Sequence, residues 1–172
     1  AHAYGSDEIK IGLVGCGGRG TGATVQALNT SGQVTLHAMA DAFQNQLDKS
    51  YKALNARVRF SQSPDAGSQA SKVDVPPERR FVGLDACQKL LELPELDVVL
   101  LTTPPGFRAA QFEAAVRAGK HVFMEKPVAT DAPGIRKVLD AAREADFKRL
   151  KVGVGLNRRH SPLYQEAMPR SC

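Results

Sequence analysis

The sequence predicts an α/β protein built on a doubly wound parallel sheet, and three observations carry that reading. Short apolar runs alternate with helix-patterned stretches along nearly the whole chain, as strands and their covering helices do in a parallel sheet. A glycine-rich turn, Gly15-Cys16-Gly17-Gly18-Arg19-Gly20, stands directly behind the first apolar run at residues 9–14. A second apolar run at residues 34–40 ends on Asp41, about twenty residues past the glycines.

Taken in order, residues 9–14 form the first strand, and the glycine turn leads from it into a helix over residues 21–29. Gly15 permits the tight turn, Gly17 removes a Cβ where phosphates approach the backbone, and Gly20 lets the helix pack closely. The helix opens with N–H groups that lack intrahelical partners and with the positive end of its dipole, so a diphosphate suits that position. A strand feeding such a turn is built to hold a dinucleotide; a turn kept only for packing would show the same glycines. The second strand, 34–40, brings Asp41 to where an acidic residue accepts hydrogen bonds from the adenosine ribose. A carboxylate there repels a 2′-phosphate, and Ala42 and Phe43 supply no cation, so NAD is favoured over NADP. Asp41 also suits the N-cap of a helix over 42–54, and the two roles can coexist.

Residues 55–78 are rich in Ser, Gln, Asp and Pro and read as an insertion or long loop. A short strand at 80–82 follows, then a helix over 86–93 with Leu90, Leu91 and Leu93 as its apolar face. Residues 96–101 form the fourth strand, apolar as a central parallel strand is. A helix over 108–118 ends at Gly119, a residue suited to the left-handed C′ position. The strand 121–124, the helix 133–145 and the strand 151–155 complete the series. The two halves meet between strands one and four, and ligands of such sheets lie at that switch point, outside the carboxyl ends. Residues 15–20, Asp41, 102–106 and 125–127 therefore converge on one crevice. Thr102-Thr103-Pro104-Pro105 leaves the central strand through two residues without N–H groups, which leaves carbonyls and threonine hydroxyls free there.

At 172 residues the chain suits one domain able to bury a core without staples. Cys16, Cys87 and Cys172 are odd in number and widely spaced, giving neither a disulfide framework nor a metal pattern; Cys16 reads as a small filler. The net charge of +5 comes from Lys and Arg scattered among carboxylates, with no basic helix and no aromatic-interleaved patch. Nucleic acid is not an expected partner, and no apolar run is long enough to span a bilayer. Ala1-His2-Ala3 resembles the end of a cleaved export signal, so residues 1–8 read as a leader remnant, and both a cytoplasmic and a periplasmic location stay open.

Glu125-Lys126-Pro127, at the end of the fifth strand, together with the glycine turn and Thr102-Thr103-Pro104-Pro105-Gly106-Phe107-Arg108, resembles the glucose-fructose oxidoreductase / inositol dehydrogenase / rhizopine catabolism family over residues 9–164. The phrases Gly-Arg-Gly-Thr-Gly and Phe-Met-Glu-Lys-Pro-Val-Ala look like a branch whose members often carry a twin-arginine export signal. The resemblance implies a Rossmann domain over 9–157 and, at 158–172, the start of a crossover to an α+β substrate domain that this chain lacks. It assigns Lys126 a catalytic place beside the nicotinamide and the reacting hydroxyl, where an ammonium stabilises alkoxide charge or moves a proton. Cofactor contacts then fall to Gly15, Gly17, Gly18, Arg19, Gly20, Asp41, Thr102, Thr103, Pro104, Glu125, Lys126 and Pro127, with no metal. A cis Lys126–Pro127 peptide is also implied. A solvated, inert Glu-Lys pair at a strand end is the plainer alternative.

The function so implied is an NAD-dependent oxidoreductase, or its cofactor domain, moving hydride between the nicotinamide and a hydroxyl-bearing carbon of a sugar, cyclitol or polyol. The resemblance implies a homo-oligomer for the full-length form. Two alternatives stand beside it: an NAD-dependent glycosidase, and a non-catalytic nucleotide-binding module, since this fold serves both kinds of role.

Overall fold

The computed structural model describes residues 8–61 and 72–167. Six parallel strands, β1 (Glu8–Val14), β2 (Gln33–Asp41), β3 (Arg80–Val82), β4 (Val98–Leu101), β5 (His121–Met124) and β6 (Val152–Val154), form one sheet in the order β3-β2-β1-β4-β5-β6. The chain runs outward from β1 in one direction and then from β4 in the other, so the expected switch point between strands one and four is present.

Strand side chains alternate between two cores, which is why these strands are apolar without interruption. Leu13, Leu36, Met39 and Leu100 face one core with Leu28 of α1 (Gly18–Leu28) and Leu47 and Leu54 of α2 (Gln44–Ser61). Val14, Ala38, Ala40, Val99 and Leu101 face the other. That second core is closed by α3 (Ala86–Leu91), α4 (Pro105–Arg117) and α5 (Ala132–Phe147), through Leu90, Phe112 and Ala141. Gly12 shows how tightly α3 is laid on β1: a Cβ there would stand 2.9 Å from both Leu90 and Leu96 side-chain atoms. The β1–β2 register shifts after Ile11, which pairs with Leu36 while Gly12 pairs with Ala38, leaving His37 as the extra residue of a bulge.

Several boundaries differ from the sequence expectation. α1 begins at Gly18 rather than at 21, so the helix starts inside the glycine turn, where propensity argues against it and the anion-binding geometry requires it. α4 begins at Pro105, not at 108, because proline at N1 needs no N–H and has its φ preset. α2 starts at Gln44 and runs to Ser61, into the stretch read as loop. Val73, from the same stretch, makes an isolated parallel bridge to Leu36; residues 62–71 of that expectation lie outside the described residues. β4 starts at Val98, since Asp97 turns its side chain to accept from Lys10 N at 2.8 Å. α3 ends at Leu91, and β6 is confined to Val152–Val154. Glu8, assigned to a leader remnant, is the first residue of β1; residues 1–7 lie outside the described residues. Beyond β6, a short 3-10 turn (Asn157–His160) and the helix α6 (Pro162–Ala167) follow, with the Arg158 guanidinium 5.4 Å from the centre of the Tyr164 ring.

Candidate functional site

The glycines of the first turn divide into two kinds. Gly15 has φ +96°, and a Cβ on it would lie 2.7 Å from Thr103 N, so the residue is required by the protein itself. Gly20 is required more severely: a Cβ there would stand 2.0 Å from Gly15 O and 2.5 Å from the Thr102 hydroxyl. Gly17 and Gly18 face open space, with nothing within 4 Å of an added Cβ. Gly17 is the N-cap of α1 in ordinary extended conformation, φ −70° and ψ −179°, and no side chain caps the helix. At the start of α1 an added Cβ on Gly17 or Gly18 would thus meet open space, apart from the chain neighbours.

Asp41 is tied to the same turn. Its carboxylate accepts from Cys16 N at 2.6 Å and from Phe43 N at 2.9 Å, one donor to each oxygen. A carboxylate has about four acceptor positions, so both oxygens keep capacity for ribose hydroxyls. The N-cap role expected for Asp41 is not realised, because α2 begins three residues on; the Phe43 contact is instead an Asx-type turn. Ala42 and Phe43 are exposed and bring no positive charge. Cys16 is 2% exposed, its Sγ lies 3.6 Å from Ala40 O, and burial, followed by the Asp41 charge, drives its thiol far above the usual range. It is packing, as expected.

The β4 end is tied down, contrary to the expectation of free hydroxyls. Thr102 Oγ1 donates to Gly15 O at 2.7 Å and lies 3.0 Å from Val14 O, while Thr103 Oγ1 donates to Gln111 Oε1 at 2.5 Å. A hydroxyl beside an unpaired turn carbonyl satisfies it more cheaply than leaving both to a ligand. Thr102 therefore shapes the turn that holds Gly15 and Gly20.

At the β5 end, Glu125 is 6% exposed and accepts from Arg19 Nε at 2.7 Å, with Arg19 Nη2 at 2.5 Å from the same oxygen. Gly155 leaves room for this carboxylate, since a Cβ there would come 2.7 Å from Glu125 Oε1. The pair spans from the first turn of α1 to the far wall of the crevice. The following Lys126–Pro127 peptide is cis, and Lys126 is exposed, with no carboxylate holding its ammonium among the described residues. The two neighbours thus differ: Glu125 is buried and ion-paired with Arg19, whereas Lys126 is exposed at the end of β5 and held by no carboxylate among the described residues.

Arg108 enters the sequence reading only as the last residue of the Thr102–Arg108 motif, with no role of its own. It is 2% exposed, and its guanidinium donates from Nη1 to Pro127 O at 2.5 Å and from Nη2 to Thr103 O. Burial holds its pKa below the usual arginine range, with the Glu125 charge acting in the opposite sense. The available signal was an arginine in the first turn of a helix, where the dipole disfavours a cation.

These residues fit a dinucleotide. The open space at Gly17 and Gly18 beside the uncapped α1 N-terminus would suit a pyrophosphate, and the Asp41 carboxylate, bonded to Cys16 N, keeps acceptor capacity that would suit ribose hydroxyls. Among the described residues, no cluster of His, Cys, Asp or Glu could hold a metal ion, and no helix is long and apolar enough to cross a membrane.

Known proteins resemble this chain in sequence and in fold. Inositol 2-dehydrogenase of Agrobacterium fabrum is 36% identical over 107 residues, 62% of this chain and 31% of the relative. Glycosyl hydrolase family 109 protein 2 of a Shewanella species is 29% identical over 136 residues, 79% of this chain and 26% of the relative. The crystal structure of scyllo-inositol dehydrogenase from Lactobacillus casei, with bound NAD(H) and scyllo-inositol, superimposes with a TM-score of 0.68 at 29% identity, covering 93% of this chain and 39% of that one. The chain thus spans between a quarter and two fifths of the length of these relatives. Residues 9–154 match the model of the oxidoreductase family with an NAD-binding Rossmann fold, and the chain belongs to this glucose-fructose oxidoreductase / inositol dehydrogenase / rhizopine catabolism family.

Proposed function

We propose that this chain is the cofactor-holding unit of an NAD-dependent oxidoreductase that moves hydride between the nicotinamide and a hydroxyl-bearing carbon of an inositol, sugar or related polyol. The observation that carries the reading is the open space over Gly17 and Gly18 at the α1 N-terminus, next to Cys16, whose N–H donates to the Asp41 carboxylate. When bound, the nicotinamide cofactor supplies the hydride chemistry. The chain's own residues bind and orient it. Gly15, Gly17, Gly18, Arg19 and Gly20 form the pyrophosphate turn, and Asp41 takes the ribose hydroxyls. Thr102, Thr103 and Pro104 form the wall beyond the turn, and Glu125, Lys126 and Pro127 form the next. Lys126 Nζ offers a proton and a positive charge to the substrate oxygen as charge changes there. Calorimetric titration with NAD and NADP tests the reading: NAD binds the tighter, and equal or tighter NADP binding overturns the Asp41 assignment.

The Shewanella glycosyl hydrolase relative supports a second reading, glycoside cleavage with tightly held NAD. Product analysis on a form carrying the substrate domain separates the two. Accumulating NADH supports the dehydrogenase, and sugar release without NADH supports the glycosidase.

A further inference from the structure

Arg108 stands where a cation is disfavoured twice over. It lies in the first turn of α4, against the helix dipole, and it is the one arginine buried among the described residues. Its Nε has no hydrogen-bond partner. What its fork holds are two backbone carbonyls, Thr103 O in the loop leaving β4 and Pro127 O in the loop leaving β5. The β4–β5 ladder runs from Val98 and His121 to Leu101 and Met124 and closes with Glu125 N donating to Leu101 O at 3.0 Å. Beyond that point the sheet no longer fixes the two loops, and the guanidinium joins them.

The sheet order says which part of a ligand those loops meet. With a pyrophosphate on α1 and an adenosine ribose on Asp41 at the end of β2, the remaining half of a dinucleotide extends across β1 toward β4 and β5. We propose that Arg108 is a positioning residue: by clamping the Thr103 and Pro127 carbonyls it sets the two walls that receive the nicotinamide half of the cofactor and fixes where Lys126 stands against it. The proposal rests on the cofactor reading above. The fold alone does not call for a buried charge here, since an apolar side chain of similar length would fill the same space without desolvation. A planar fork with several fixed donors suits two separate carbonyls; a lysine ammonium holds them less well.

The test compares wild type, R108M and R108K by calorimetric titration with NAD and with ADP-ribose, which keeps the adenosine, pyrophosphate and both riboses but lacks nicotinamide. Thermal unfolding of each variant is followed in parallel. R108M is expected to lower NAD affinity about tenfold while ADP-ribose affinity changes by less than about twofold, with R108K between wild type and R108M. A merely structural arginine would lower both affinities together. If wild type binds both nucleotides and the NAD to ADP-ribose ratio is unchanged in R108M, the positioning role is overturned and the cofactor reading stands. If wild type binds neither, the cofactor reading fails and the proposal falls with it. Where R108M does not fold, R108K reads the same ratio, and an unchanged ratio there is equally fatal.

Discussion

The division of the glycines into two kinds gives opposite expectations for substitutions only three residues apart. At Gly17 the backbone is extended and an added Cβ meets nothing within 4 Å, so a side chain can leave the backbone there without a clash at its first carbon. Replacing glycine at a compatible position also restricts the unfolded chain, which stabilises by about 0.4–1 kcal/mol. Valine is poor at an N-cap, the position Gly17 holds, and this offsets the gain, so Gly17→Val is expected to melt within a few degrees of the wild-type temperature. Its cost falls on the ligand, because the branched side chain occupies the space where phosphate oxygens meet the α1 N–H groups. Overpacking of about 1–3 kcal/mol and loss of at least one charge-assisted hydrogen bond, about 1.5–3 kcal/mol, sum to a weakening of NAD binding by at least about 100-fold.

Gly20→Ala is the counterpart. Its Cβ would stand 2.0 Å from Gly15 O, a backbone atom, so the turn itself has to move. Destabilisation of about 1–3 kcal/mol or more is expected, lowering the melting temperature by several degrees, with NAD binding lost as a consequence of the displaced turn. Scanning calorimetry and isothermal titration on both variants decide the matter. NAD binding by folded Gly17→Val within about threefold of wild type, a difference of about 0.7 kcal/mol, would refute the pyrophosphate site. A fully stable Gly20→Ala would refute the packing argument.

Three further outcomes are expected. Asp41→Ala narrows the affinity ratio between NAD and NADP in calorimetric titration, and also loosens the turn, since Cys16 N loses its acceptor. Lys126→Met leaves NAD affinity within about twofold, because the exposed ammonium holds no part of the fold, but lowers polyol turnover by about 10²–10⁴-fold in a form carrying the substrate domain. Burial raises the Cys87 thiol from 9.0 to about 11. The unfolded chain then releases that proton first, so stability falls as pH rises from about 9 to about 11, by about 3 kcal/mol in total, and Cys87→Ala flattens this dependence in denaturant titrations.

Much of the crevice was legible because its signals are local. Gly15, Gly20 and Asp41 each announce themselves through conformation or strand-end position, and the switch point follows from counting alternating elements. What escaped the sequence depends on partners far apart in the chain. Arg19 and Glu125 are 106 residues apart, and nothing near either forecasts the pair. Thr102 read as a free hydroxyl because its acceptors, Val14 O and Gly15 O, lie 88 and 87 residues upstream. The α2 extension was hidden by polar residues such as Asn55, whose amide in fact donates to Tyr51 O one turn back, within the helix.

This contrast also separates the two halves of the crevice by how they are built. On the Asp41 side, backbone groups and one carboxylate within a short span of chain make the site, so glycine chemistry alone nearly specifies it. On the Lys126 side, the walls are positioned by two arginines from different helices. Arg19 reaches the Glu125 carboxylate and Arg108 the carbonyls of Thr103 and Pro127. Both guanidiniums are held by protein acceptors, and Glu125, paired with Arg19, is not left to neutralise the lysine. The exposed ammonium is thereby the one cation of these motifs, among the described residues, that is not already held by a protein acceptor. Substitution at Arg19 or Arg108 should thus act on the geometry around Lys126, while substitution at the glycines or Asp41 acts on whether the dinucleotide is held at all.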